Sequence, residues 1–114
     1  MQNLIKEISE IFTYKKLSKN SLYLSTKLNK LGNPLVRIDS KEPIKALMLK
    51  FTDNSITIKS IVNSTDEKGF SKKVIGIILS NIDKEFSIFI DQDVSDGFWD
   101  SVIQKNPEYN WVML

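Results

Sequence analysis

A chain of 114 residues, 41% hydrophobic and 26% charged, has the length and apolar content of one globular domain with a single core. Cysteine and histidine are both absent, which excludes disulfides, thiolate nucleophiles, histidine bases and the usual zinc ligand sets. The net charge is only +2, with a single arginine, Arg37, beside many lysines; an AT-rich coding sequence accounts for that composition, so nucleic acid ranks last among partners. No apolar run approaches the ~18–20 residues that span a bilayer, and the acidic start of the chain lacks a secretion pattern. A cytoplasmic protein without membrane contact is the expectation.

Residues 3–14 read as an amphipathic helix, with Leu4, Ile5, Ile8, Ile11 and Phe12 on one side and Lys6, Glu7 and Glu10 on the other. A basic break follows. Leu24, Leu28 and Leu31 then recur at helical spacing, so a second helix is expected, capped by Ser18 or Ser21 and stopped by Gly32 and Pro34. Residues 34–39 read as a short strand. Residues 44–51 are apolar on both faces, which suits a central strand covered on two sides. A turn at residues 52–55 leads into a strand over residues 55–63, and these three strands make an antiparallel meander.

After that meander comes the stretch with the strongest chemical suggestion. Gly69 ends a polar loop and opens an almost wholly apolar helix over residues 70–82. A strand, a loop and a helix in that order can aim backbone N–H groups at an anion. Residues 86–91 are the next strand, and strand, helix and strand together predict a parallel crossover. A helix over residues 95–105 buries Phe98, Trp99, Val102 and Ile103; Pro107 follows it, and residues 109–114 form a last strand paired inside the sheet. Asp91, Asp93 and Asp96 form an acidic cluster without the glycine and terminal Glu of a calcium loop, so it reads as a helix cap and no metal is expected. The expected class is α/β (α+β): a mixed, mostly antiparallel central sheet with helices on both faces, in the order α-α-β-β-β-α-β-α-β, over one domain spanning residues 1–114.

That order, with its loop after the third strand, resembles the GCN5-related N-acetyltransferase (GNAT) family over most of the chain. The family's loop runs Gln or Arg, two residues, Gly, one residue, then Gly or Ala. Here Gly69 matches, Ser71 keeps the second small position, and Asp66 stands where Gln or Arg is usual. The chain lacks the family's first strand and stops at its penultimate one. The resemblance implies acetyl-CoA or another acyl-CoA as ligand. Its pyrophosphate would meet Lys68, Gly69, Phe70, Ser71 and Lys72, and its pantetheine would pair with the strand carrying Ile61, Val62 and Asn63. Gln92 and Trp99 fall roughly where the family has its Asn and the aromatic pair of the next helix.

The resemblance also implies acetyl transfer to an amine acceptor by direct attack. The strand before the loop offers Thr57, Lys59 and Ser60 in place of the family's Glu base. Asp53 is the nearest acid in sequence. Trp99 replaces the tyrosine that protonates the thiolate, which leaves Tyr109 as the substitute. The alternative is a non-catalytic binding module of the same fold, engaging another protein or a second copy of itself, of the sort a phage or mobile element encodes. Fold alone does not choose between the two.

Overall fold

The computed structural model describes residues 1–37, 42–91 and 97–114. Their elements run in the order α1 (Gln2–Ser9), β1 (Tyr14–Ser18), β2 (Ser21–Ser25), β3 (Lys45–Phe51), β4 (Ser55–Asn63), α2 (Phe70–Ser80), β5 (Ser87–Ile90), α3 (Phe98–Lys105) and β6 (Asn110–Met113). One mixed six-stranded sheet holds the strands in sequence order, β1 to β6. The first three pairings are antiparallel and the last two, β4 with β5 and β5 with β6, are parallel.

The first half corrects the expected order. In place of a second helix the chain folds into the hairpin β1–β2, in which Ser18 pairs with Ser21 and only Lys19 and Asn20 form the loop. Lys19 has a positive φ of 54° while Asn20 does not, the sign pattern of a type II′ turn, whose twist matches that of the flanking strands. Leu22 and Leu24 are fully buried with half-buried Tyr23 between them, a two-residue period. The helical spacing of Leu24, Leu28 and Leu31 is fortuitous, since Leu28 is 43% and Leu31 86% exposed.

Residues 26–37 make an irregular arm rather than a helix end and a strand. The Asn29 side-chain carbonyl accepts the N–H groups of Leu31 (2.9 Å) and Asn33 (3.0 Å), and Gly32 takes a φ of 81°. The strand expected from Pro34 reduces to one bridge between Leu28 and Pro34; Ile38 and Asp39 lie outside the described residues. The later elements follow expectation more closely: β3, β4, α2, β5 and α3 are all present within a few residues of their expected limits, and the crossover from β4 to β5 is parallel. β6 pairs with β5 as expected but sits at the edge of the sheet rather than inside it.

The register explains which side of the sheet is filled. Leu22, Leu24, Leu47, Leu49, Ile56, Ile58, Ile88 and Ile90 share one face through their cross-strand partners. All belong to a single apolar cluster with Leu4 and Ile8 of α1, Phe70, Val74 and Ile78 of α2, and Trp99 and Val102 of α3. The three described helices therefore cover the same face, which corrects the expectation of helices on both. Burying each such Leu or Ile is worth roughly 1.5–3 kcal/mol. On the other face Tyr23, Met48, Val62, Phe89 and Val112 are only half-buried, and the arm reaches the β1–β2 end of it, where Lys16 donates to the Asn33 side-chain carbonyl at 3.2 Å. Among the described residues no helix is long and apolar enough to cross a membrane.

Candidate functional site

The site begins as an irregularity in β4. The β3–β4 register pairs Leu49 with Ile58 but Met48 with Ser60, so Lys59 is an extra residue, a β-bulge. Bulges bend a strand and sharpen its twist. The pairing of β4 with β5 runs from Ser55 to Ile58, and a last bond from the Asp91 N–H to the Ile58 carbonyl, 3.2 Å, closes it. Among the described residues no further rung joins the two strands, and this end of their pairing is called the fork. The Ser64 N–H turns toward β3, bonding the Ile44 carbonyl at 2.9 Å. By the two-residue alternation of an antiparallel ladder, Ile61 and Asn63 face their backbone N–H and C=O groups the opposite way, away from β3. That edge is ~15 Å long at about 3.3 Å per residue.

The loop beyond β4 is organised by Asn63. Its side-chain carbonyl accepts the Thr65 N–H (3.0 Å) and hydroxyl (2.5 Å), while its amide donates to the Glu67 carbonyl at 2.8 Å. The Thr65 hydroxyl in turn accepts the Glu67 N–H at 3.2 Å. Asn and Thr hold turns in this way because a short polar side chain can replace a backbone partner. Gly69 then adopts a φ of 80° at the N-cap of α2, with open space where a Cβ would lie. The first N–H to bond back within the helix is that of Lys73, to the Gly69 carbonyl at 3.0 Å. The N–H groups of Phe70, Ser71 and Lys72 precede it and have no carbonyl partner inside the helix, so they are donors at the positive end of its dipole.

Loop, helix start and the Phe98 ring of α3 border an open depression of about 490 Å³. Its charge is close to balanced. Asp66 and Glu67 are offset on the rim by Lys68 and Lys72, and the Glu67 carboxylate is also paired at 2.9 Å with Lys45, whose ammonium lies 5.0 Å from the centre of the Phe70 ring. A second ion pair, Lys59 with Asp91 at 2.6 Å, stands at the fork.

Lys68, Gly69, Phe70, Ser71 and Lys72 thus gather around one depression with Asn63, and Ile61 borders the fork that leads to it. The Phe70 ring is buried, so its backbone alone faces the opening. Val62 turns its polar backbone groups toward β3 instead. Trp99 is 5% exposed and packs against Phe98 and Trp111, with ring centres 5.2 and 6.4 Å away; its neighbour Phe98 takes the place at the rim. Gln92, Asp93 and Asp96 lie outside the described residues.

Both acid–base candidates, Asp53 and Tyr109, lie away from this depression. Asp53 is exposed in the β3–β4 turn, a full strand length, ~30 Å, from the Asn63 end of β4. The Tyr109 hydroxyl donates to the Leu79 carbonyl at 3.1 Å, pinned to the last turn of α2, ~14 Å from its N-terminus at about 1.5 Å per residue. Sequence reasoning misses Thr65, Lys45 and Phe98 as residues of this site, and it reads Asp91 only as part of an acidic helix cap. For Thr65 a signal existed, the Asn-Ser-Thr run at the end of a strand, which favours a side-chain-held turn. Comparison with models of protein families, with curated proteins and with solved structures finds no match to this chain.

Proposed function

We propose that the protein binds an acyl-CoA at the fork and transfers its acyl group to an amine by direct attack, as the GNAT resemblance implies. The observation that carries this reading is the coincidence of two sets of backbone groups that have no backbone partner among the described residues. The inner edge of β4 at Ile61 and Asn63 offers alternating donors and acceptors to an extended amide chain, as a neighbouring strand would. The α2 N-terminus offers the N–H groups of Phe70, Ser71 and Lys72 to a pyrophosphate, and Gly69 leaves room for close approach. Pantetheine and pyrophosphate follow one another in CoA as these two surfaces do here, so the thioester would come to rest at the fork.

In this arrangement the chain's contribution is placement. Holding an amine beside the thioester replaces a bimolecular encounter by a positioned one. The nitrogen bonds to the carbonyl carbon, the carbon–sulfur bond breaks, and the proton shed by nitrogen ends on the departing sulfur. The N–H and C=O groups of that edge orient the carbonyl. A second reading is a non-catalytic binding module, favoured by the positions of Asp53 and Tyr109 far from the fork and by the half-buried apolar sheet face.

Thermal denaturation with acetyl-CoA tests the first reading. A hundredfold excess over Kd should raise Tm by about 10 °C. Ser71→Glu should erase the shift without unfolding the protein, because a carboxylate in the first turn of a helix suits its dipole but repels a polyanion. No shift at millimolar acetyl-CoA would sink the reading. A shift without acyl transfer to any amine would favour the binding module.

A further inference from the structure

Helix α2 carries a glycine that its own stability does not ask for. Gly76 lies in the middle of the helix, where glycine is a poorer former than every residue but proline. No close neighbour demands it: a Cβ there would meet nothing within 4 Å, and its φ is not positive. Residues 72, 76 and 79 share one face of α2 at helical spacing, and that face borders a groove of about 200 Å³ between α2 and α3. Ile75 and Leu79 of α2 face Phe98 and Val102 of α3 across it. A side chain at residue 76 would enter this groove, so the glycine keeps it open. One end is held in place by side chains: the Asn106 amide donates to the Val102 carbonyl at 2.9 Å, and the Trp111 indole donates to the Asn106 carbonyl at 2.8 Å.

The charge around the groove is of one sign. β4, β5 and β6 are parallel, so the helices that connect them run the same way. Lys72 stands in the first turn of α2 and Lys105 ends α3, which puts one lysine at each end of the groove, ~10 Å apart at about 1.5 Å per helical residue. Both are exposed. Neither is in an ion pair among the described residues, and no carboxylate is among the described lining residues. We propose that this groove docks an acidic segment of a partner protein, which seats one bulky apolar side chain over Gly76 and sets a carboxylate at each end, on Lys72 and Lys105. The volume suits a single anchor, since an apolar cavity of ~150 Å³ already takes a benzene ring. About 10 Å of extended chain is three residue steps, so an apolar residue with acids on both sides spans the two lysines. One anchor in a preformed apolar groove with charges at its rim is the usual build of a binding hot spot. A nucleic acid would supply the charge without the anchor.

The probe is the peptide acetyl-Glu-Asp-Phe-Asp-Glu amide, titrated into the full chain without CoA and followed by amide chemical shifts. Shifts should gather on residues 72–79 and 98–106, and replacing the peptide's Phe by Ala should weaken binding by about tenfold. Gly76→Leu should raise Tm by about 3 °C, because leucine is the better helix former, and yet weaken the peptide by tenfold or more by filling the groove. Lys105→Glu should weaken it by about tenfold and leave Tm nearly unchanged. Absence of shifts in this face at millimolar peptide, equal binding of the Ala peptide, or full binding by Gly76→Leu overturns the proposal. A thymidine oligonucleotide that moves the same signals at lower concentration than the peptide would overturn it in favour of nucleic acid. No arm contains acyl-CoA, so the result is independent of that reading.

Discussion

Single residues set the geometry of this protein at two turns. Lys19 holds a φ of 54° without being glycine, in a region that costs a side-chain-bearing residue roughly 1–2 kcal/mol. Lys19→Gly should therefore raise stability by up to about 1 kcal/mol, once the greater freedom of glycine in the unfolded chain is subtracted; a lower urea midpoint in the variant would contradict the turn assignment. Asn63 acts the other way, as a residue whose side chain substitutes for backbone partners and folds the loop toward Gly69. Both devices rest on residue types that sequence reasoning associates with turns, but the choice of Lys19 and Asn20 as a hairpin loop needs the pairing of Ser18 with Ser21 to be seen.

At the scale of elements, the hairpin replaces a helix because burial outweighs spacing. A helix through Leu24, Leu28 and Leu31 would bury all three, whereas the hairpin buries Leu22 and Leu24 and leaves Leu28 and Leu31 exposed. Alanine at each position distinguishes the two. Leu24→Ala should cost about 2–5 kcal/mol and Leu31→Ala less than about 0.5 kcal/mol, read from urea unfolding; equal losses would revive the helix. The apolar run of α2 is explained by the same logic. Phe70, Val74, Ile75, Ile78 and Leu79 are buried in the sheet-facing cluster, while Gly76, Lys72 and Leu79 line a groove shared with α3.

At the scale of the molecule, the main apolar cluster fills one side of the sheet, while on the other side Ser25 and Ala46 are buried as well. Its centre is the β3–β4 pair; β1 is exposed along its whole length and β6 is an edge. Amide hydrogen exchange should be slowest at the paired positions of β3 and β4 and fastest in β1 and β6, since local opening follows contact and burial. Slow exchange throughout β6 would show that something covers that edge in solution. Within β4 the bulge at Lys59 divides a half paired on both sides from a half that, among the described residues, pairs with β3 alone, and the candidate site is built on that second half.

Local periodicity alone determined much of this protein. The alternation in β3 and β4, the apolar helix after Gly69 and the return strand Ser87–Ile90 are each written within a dozen residues, and so is the clustering of Gly69, Ser71 and Lys72 at a helix start. Tertiary structure decided what no local pattern carries. Whether Leu24 belongs to a helix or a strand depends on the partner strand that buries it, because a short leucine-rich run fits both periods. That the three described helices share one face follows from which side of each strand meets them. Ion pairs such as Lys59 with Asp91, and the remoteness of Asp53 and Tyr109, depend on where strands end relative to one another. That relation is fixed by pairing across dozens of residues, and in β4 by one unmatched residue, Lys59, that shifts the register.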